Sequence, residues 1–299
     1  LVVYCSEQAH SSIDKAVIAL GLGHENLRKI PTDDAFRMDV AALEAAITAD
    51  RAAGRLPIAV VATAGTTSTT SVDPLPAIAA VARREKLWLH VDAAYAGSAA
   101  VCPEYRALLA GWERADSIVV NPHKWMFTPV DCSVLFVRDP GELRAAFSLV
   151  PEYLRTPETG VTNLMDYGIQ LGRRFRSLKL WMVIRGFGAE GIRERIRLHC
   201  ALGREFAELV RNEPDFEVVA PVPFSTVCFR AAPSARSPEE QDAANERILA
   251  RVNDSGEVFL SHTKLRGRYV LRLTIGNLRT TRAHVERAWA LIREAASAS

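Results

Sequence analysis

Leu87-Trp88-Leu89-His90-Val91-Asp92-Ala93-Ala94-Tyr95-Ala96-Gly97 is an apolar run that ends on a carboxylate and continues into small residues. So short and apolar a run reads as a strand buried on both faces, with Asp92 at its carboxyl end. Leu1–Tyr4, Pro57–Thr63, Ser117–Val120 and Ser133–Val137 share the pattern. Between them lie segments of helical periodicity, Ser12–Leu20, Val40–Ala53 and Pro74–Lys86. The alternation predicts βαβ units and an α/β fold with a mostly parallel sheet covered by helices. Asp73 is expected to cap the helix that begins near Pro74. Ligands of such sheets collect beyond the carboxyl ends of the strands. Polar residues stand at those ends: Thr66 and Thr67, Asp92, and Asn121 to Lys124.

Past Pro140 the periodicity fades. Val150-Pro-Glu-Tyr-Leu-Arg-Thr-Pro-Glu-Thr-Gly160 reads as an exposed loop, of the kind that serves as a lid. Helices are expected over Leu171–Arg185 and Gly191–Asn212. Strand-like Phe216–Val219, Thr226–Arg230, Val258–Leu260 and Tyr269–Ile275, with helices over Pro238–Asn253 and Arg282–Ala295, predict a small α+β unit with an antiparallel sheet. The expected organisation is a partial large domain over 1–140, a loop and connecting helix over 141–190, and a small C-terminal domain over 191–299.

The 299 residues are 48% hydrophobic and 24% charged, which excludes disordered, collagenous and small disulfide-stapled classes. Against 35 Asp and Glu stand 37 Lys and Arg, scattered along the chain, so no basic field argues for nucleic acid. The five cysteines form no C-x-x-C pair, and they read as reduced thiols of a cytoplasmic protein without a metal centre. No apolar run approaches the ~18 residues that span a bilayer. The chain opens in a strand-like run without Met or a charged leader, so no signal peptide and some missing upstream sequence are expected.

Asn121-Pro122-His123-Lys124-Trp125 follows directly on an apolar run. A lysine at a strand end, in partly apolar surroundings, can shed its proton and attack a carbonyl. Asp92 is placed to keep the nitrogen of a pyridine-type ring protonated, and Ala93 and Ala94 would let a flat ring lie close to the backbone. His10, in Glu7-Gln8-Ala9-His10-Ser11-Ser12, could stack on such a ring, while Ser11 or Ser12 caps the next helix. Thr66 and Thr67 offer hydroxyls at the same edge. Each residue alone also has an ordinary reading: a surface lysine, a helix cap, a polar imidazole, turn chemistry.

Together, His-Val-Asp-Ala-Ala-Tyr-Ala-Gly, Asn-Pro-His-Lys-Trp, the upstream Gln-Ala-His-Ser-Ser and the downstream Leu171-Gly-Arg-Arg-Phe-Arg-Ser-Leu-Lys-Leu-Trp181 resemble the group II pyridoxal-phosphate-dependent decarboxylases, in their aromatic-L-amino-acid branch. The resemblance runs through essentially the whole chain in order. It implies fold type I and the cofactor pyridoxal 5′-phosphate (PLP). By that resemblance Lys124 bonds the cofactor, Asp92 partners its ring nitrogen, His10 stacks on one ring face and Ala94 packs on the other. Thr67 lies by the phenolic edge, Ser117 reaches the phosphate, and Asn121 and His123 flank the lysine. Tyr153 matches a loop tyrosine associated with protonation of the product carbon; relatives with Phe there resemble aldehyde synthases.

The implied reaction is decarboxylation of an aromatic L-amino acid to its amine, in a homodimer. Glutamate, histidine or cysteine sulfinate is the alternative substrate. Arg272 could be offered as a carboxylate ligand, and equally as a surface residue. From a different class comes a truncated, non-catalytic homologue that acts as an association module.

Overall fold

The computed structural model describes residues 1–149 and 160–298. Strands β1 (Val2–Ser6), β2 (Leu27–Ile30), β3 (Pro57–Thr63), β4 (Trp88–Asp92), β5 (Ser117–Val120) and β6 (Val134–Val137) form one sheet in the order β2-β1-β3-β4-β5-β6. All its pairings are parallel except that of β5 with β6. The fold is therefore α/β, as the alternating runs predict.

Helices α1 (Ser12–Ala19), α2 (Val40–Ala52) and α3 (Leu75–Glu85) are the crossovers between parallel strands. On one face Val2, Tyr4, Val60, Leu89 and Val91 pack with Leu43 and Ile47 of α2 and Ile78 and Val81 of α3. On the other face Val3, Cys5 and Val61 pack with Val17 of α1. Burial on both sides explains why these strands show no polar alternation. Edge strand β2 was not anticipated: Leu27-Arg28-Lys29-Ile30 has buried apolar ends and two cations between them. Edge strands tolerate charge because one side of their ladder is open. Arg28 is not wasted there, since its guanidinium clasps the buried carboxylate of Asp50, which also accepts from the Tyr4 hydroxyl at 2.9 Å.

Two short helices, α4 (Pro122–Trp125) and α5 (Pro140–Phe147), flank β6. Then α6 (Arg176–Arg211) leads to a second sheet of β7 (Phe216–Val218), β8 (Thr226–Ala231), β9 (Ser261–Leu265) and β10 (Arg268–Thr274), in the antiparallel order β7-β8-β10-β9. Helices α7 (Pro238–Asp254) and α8 (Arg282–Ser297) cover this sheet around Phe206, Phe229, Leu271 and Trp289. The two helices expected over 171–212 are both present: the run begins at Arg176, and Gly188, whose φ of 67° is not helical, divides it in two. The strand expected at Val258–Leu260 lies later, at the more polar Ser261–Leu265, and Phe259 is 84% exposed.

Asp73 does not cap α3, whose first turn has no side-chain cap. Its carboxylate, 2% exposed, turns inward and accepts from the Met38 and Thr63 backbone N–H groups at 2.7 Å each. It thus ties the end of β3 to the chain entering α2. Burial outweighs those two bonds and pushes its pKa up to about 6. The folded protein therefore holds this proton more tightly than the unfolded chain does, so the resulting stabilisation is complete below the unfolded carboxyl value and is lost as pH rises through 6. In Asp73→Asn the amide N–H₂ meets one of the two backbone donors, at a cost of about 1–3 kcal/mol. Urea midpoints at pH 5 and pH 7 check both points: the stability lost in the Asp73→Asn variant, relative to wild type, should be larger at pH 5.

Candidate active site

Parallel pairing aligns the carboxyl ends of β1, β3, β4 and β5 on one edge. Four connections therefore leave the sheet side by side: Glu7–His10, Ala64–Thr70, Ala93–Tyr95 and Asn121–Lys124. They line a cavity of about 300 Å³ with His10, Thr63, Gly65, Thr66, Thr67, Thr70, Asp92, Ala94, Tyr95 and Lys124. A cavity at this edge is where an open parallel sheet takes a ligand, and its size is at the lower end for small-molecule sites.

Asp92 ends β4 at 8% exposure and accepts from its neighbour's backbone, Ala94 N–H, at 3.0 Å. Thr63 ends β3 directly opposite in register, and its buried hydroxyl has no hydrogen-bond partner among the described residues. Lys124 stands on α4 and is exposed, rather than in the partly apolar setting expected of it. His10 is exposed at the rim, and its Nδ1 accepts from Ser12 N–H at 3.1 Å. The imidazole thus serves the start of α1 in place of a serine cap, since Ser11 makes no side-chain cap bond. An accepting Nδ1 puts the proton of the neutral ring on Nε2. Ala94 and Gly65 keep the floor thin. At Gly65 φ is +92° and a Cβ would come within 2.6 Å of that of Ala96, so no larger residue fits.

The remaining wall comes from the second sheet, through Thr226, Arg272 and Thr274. Arg272 is neither free nor a simple surface residue. It donates to the Thr67 and Ser68 carbonyls at 2.6 and 2.7 Å and to the Ser261 hydroxyl at 3.0 Å. A planar fork of five donors suits this bridging task. The Gly65–Ser71 loop is further held by a Ser68–Thr263 hydroxyl pair at 3.0 Å, and internally by Thr66 and Thr69. The sequence offered Arg272 only as a carboxylate ligand or a surface residue, and it did not single out Thr226, Thr274 or Tyr95 at all, because the partners of this wall lie up to 205 positions away.

Three anticipated residues lie outside that lining. Ser117 stands at the opposite end of β5 from Lys124, and its hydroxyl is already committed. Trp88 Nε1–H, a donor only, reaches it at 2.9 Å, which leaves its own hydrogen for His90 Nδ1 at 2.8 Å. Burial lowers the pKa of His90, in keeping with that neutral accepting ring. Ser117 therefore has no hydroxyl donor left for a phosphate. Asn121 accepts from the Ser133 hydroxyl at 2.6 Å, and its backbone N–H bonds Ala94 C=O at 3.0 Å. His123 Nδ1 contacts the Cys132 backbone at 2.7 and 3.1 Å. Both brace the lysine turn. Tyr153 lies outside the described residues.

Residues 1–232 match the pyridoxal-dependent decarboxylase conserved domain. Tyrosine decarboxylase 4 of Petroselinum crispum is 46% identical over 307 residues, covering 100% of this chain and 60% of that protein. Phenylacetaldehyde synthase of Arabidopsis thaliana is 45% identical over 302 residues, covering 99% of this chain and 62% of the relative. Among solved structures, Oryza sativa TDC with PLP and tryptamine superposes with a TM-score of 0.96 at 43% identity, over 99% of this chain and 62% of that one. The chain thus spans about 60% of the length of these relatives. An amine and a carboxylate face one cavity at the carboxyl edge of a parallel sheet, and the match covers more than two thirds of the sequence: the chain belongs to the pyridoxal-dependent decarboxylase family.

Proposed function

We propose that this chain carries the PLP site of an aromatic L-amino-acid decarboxylase, with Lys124 and Asp92 as its two essential groups. The observation that carries the reading is that both open into one cavity from neighbouring strand ends. The residues fit the group. A buried carboxylate and the buried Thr63 hydroxyl, unpartnered among the described residues, stand on one side, the Lys124 amine on another, and a floor without bulk lies between. When bound, PLP supplies a carbonyl for the substrate amine and a ring that accepts the electron pair left as carbon dioxide departs.

The protein's own part is positional and electrostatic. Asp92, largely withdrawn from water, would hold a proton on the ring nitrogen by a charge-assisted hydrogen bond. Lys124 would anchor the cofactor through its amine and release it to substrate. His10 and Ala94 would bound the two ring faces, and the Thr67 hydroxyl, exposed at the rim, would meet the phenolic edge. Asn121 and His123 would keep the lysine turn in place. Tyr153 would deliver the proton that replaces the lost carboxylate. The substrate class rests on relatives named as tyrosine and tryptophan decarboxylases.

The active form proposed is a cytoplasmic homodimer. Ile169 is 91% and Phe175 75% exposed, and Leu135 and Phe136 of edge strand β6 also face solvent. Such apolar surface is what a second copy would cover. Among the described residues no helix is long and apolar enough to cross a membrane.

Added PLP should give an absorbance band in the ~400–430 nm region that borohydride abolishes, with the label on Lys124; Lys124→Ala should show no such band. Asp92→Asn should still take PLP on Lys124 but lose about 10²- to 10⁴-fold in carbon dioxide release from tyrosine or tryptophan. Retained turnover would sink the Asp92 assignment. Because an aldehyde synthase is as similar to this chain as the decarboxylases are, the product decides between them. Wild type should yield amine, and Tyr153→Phe should divert product to aldehyde, ammonia and peroxide in the presence of oxygen. Amine alone from both proteins would remove Tyr153 from the reaction.

A further inference from the structure

Helix α4 is a single turn, far too short to hold its own position, so the placement of Lys124 must come from tertiary contacts. On the sheet side, Asn121 N–H bonds Ala94 C=O. On the other side the hold is Trp125, the next residue after Lys124 and fully buried. Its indole N–H donates to Nδ1 of His199 at 3.0 Å, and Nε2 of that imidazole faces the Asn277 carbonyl at 3.2 Å. An indole N–H only donates, so Nδ1 must accept, and the ring proton sits on Nε2, directed at Asn277. His199 is itself buried in the middle of α6, with Phe127 edge-on at 5.7 Å. Tyr95 stacks on Trp125 at 4.6 Å and 5°, and Tyr95 lines the cavity, so a displaced indole would disturb both the lysine turn and the cavity wall.

We propose that His199 is a positioning residue for Lys124: it grips Trp125 from behind, and so couples the lysine turn to the Asn277 segment that follows β10. The proposal rests on Lys124 being the reactive amine of the site. His199 touches neither the cavity nor any group in it. It reaches the lysine segment through the Trp125 hydrogen bond and through its edge-on contact with Phe127, and only the first needs an acceptor at Nδ1, which makes it separable from simple packing.

The wild-type protein gives the first test. Nitrogen-15 NMR of the His199 ring should report the Nε2–H tautomer with a hydrogen-bonded Trp125 indole; an Nδ1–H tautomer would overturn the proposal. The second test follows trinitrobenzenesulfonate modification of Lys124 by peptide mass spectrometry, with Lys29 and Lys86 as internal controls. His199→Leu removes the acceptor and should change the Lys124 rate about threefold to tenfold while the controls stay fixed. His199→Asn, whose side-chain oxygen can take the place of Nδ1, should restore it. With the donor removed by Trp125→Phe, His199→Leu should add nothing further. Parallel change at all three lysines, failure of His199→Asn to rescue, or an undiminished effect in the Trp125→Phe protein would each mean that His199 merely packs. The reagent needs no cofactor, so a wild-type Lys124 that took no PLP would end the proposed function and leave this comparison readable.

Discussion

The polarity of four neighbouring strands is the constraint on which everything else depends. Because β1, β3, β4 and β5 run parallel, their carboxyl ends share one edge, and the residues that follow each strand become neighbours across 114 positions of sequence, from His10 to Lys124. An antiparallel neighbour in the place of β4 would send Asp92 to the opposite edge. Chain direction is enforced by the crossover helices, since α2 and α3 can bury Leu43, Ile47, Ile78 and Val81 only by lying back across the sheet. The apolar residues of the strands thus place the polar ones.

Polarity aligns the strand tips, but the loops beyond them must still be held. The cavity is held from three directions. Asp73 fixes the end of β3 from below through Thr63 N–H. Arg272 reaches across from the second sheet and clasps the Thr67 and Ser68 carbonyls. His199 holds the lysine turn through Trp125. These are polar side chains satisfied by backbone or by one another, and each loses its value if a single partner goes, because an unpaired buried donor or acceptor costs more than the bond gained. The second sheet therefore contributes more than a wall. Both Arg272, on β10, and Asn277, just after it, transmit the position of that sheet to the two sides of the cavity.

Much of the fold was legible because the inner strands are short, mostly apolar runs without a regular polar alternation. Edge strand β2 was not, because Arg28 and Lys29 break the apolar run; nor was β9, whose Ser261-His-Thr-Lys-Leu265 alternates half-buried and exposed positions. Asp92, His10, Thr67, Ala94 and Lys124 were legible as strand-end polar or small residues, and the structure brings these five to one cavity. Ser117 fell on the wrong side because a match in spacing says nothing about strand polarity, which puts it at the start of β5. Asp73, and Ser11 or Ser12, read as caps from local chemistry, whereas tertiary partners took the first and the His10 ring did the work of the serine. His199 carries no local signal, and Arg272 shows in the sequence only as a strand cation, equally a carboxylate ligand or a surface residue, and not as the clasp it is.

The central claim is that Lys124 and Asp92 grip one heterocycle. A crystal structure of the protein soaked with PLP tests it most directly. The account predicts density continuous from Lys124 Nζ to the cofactor's carbonyl carbon, with the ring nitrogen about 2.7–2.9 Å from an Asp92 carboxylate oxygen. PLP bonded to another lysine, or bonded to Lys124 with its ring nitrogen turned away from Asp92, would contradict it.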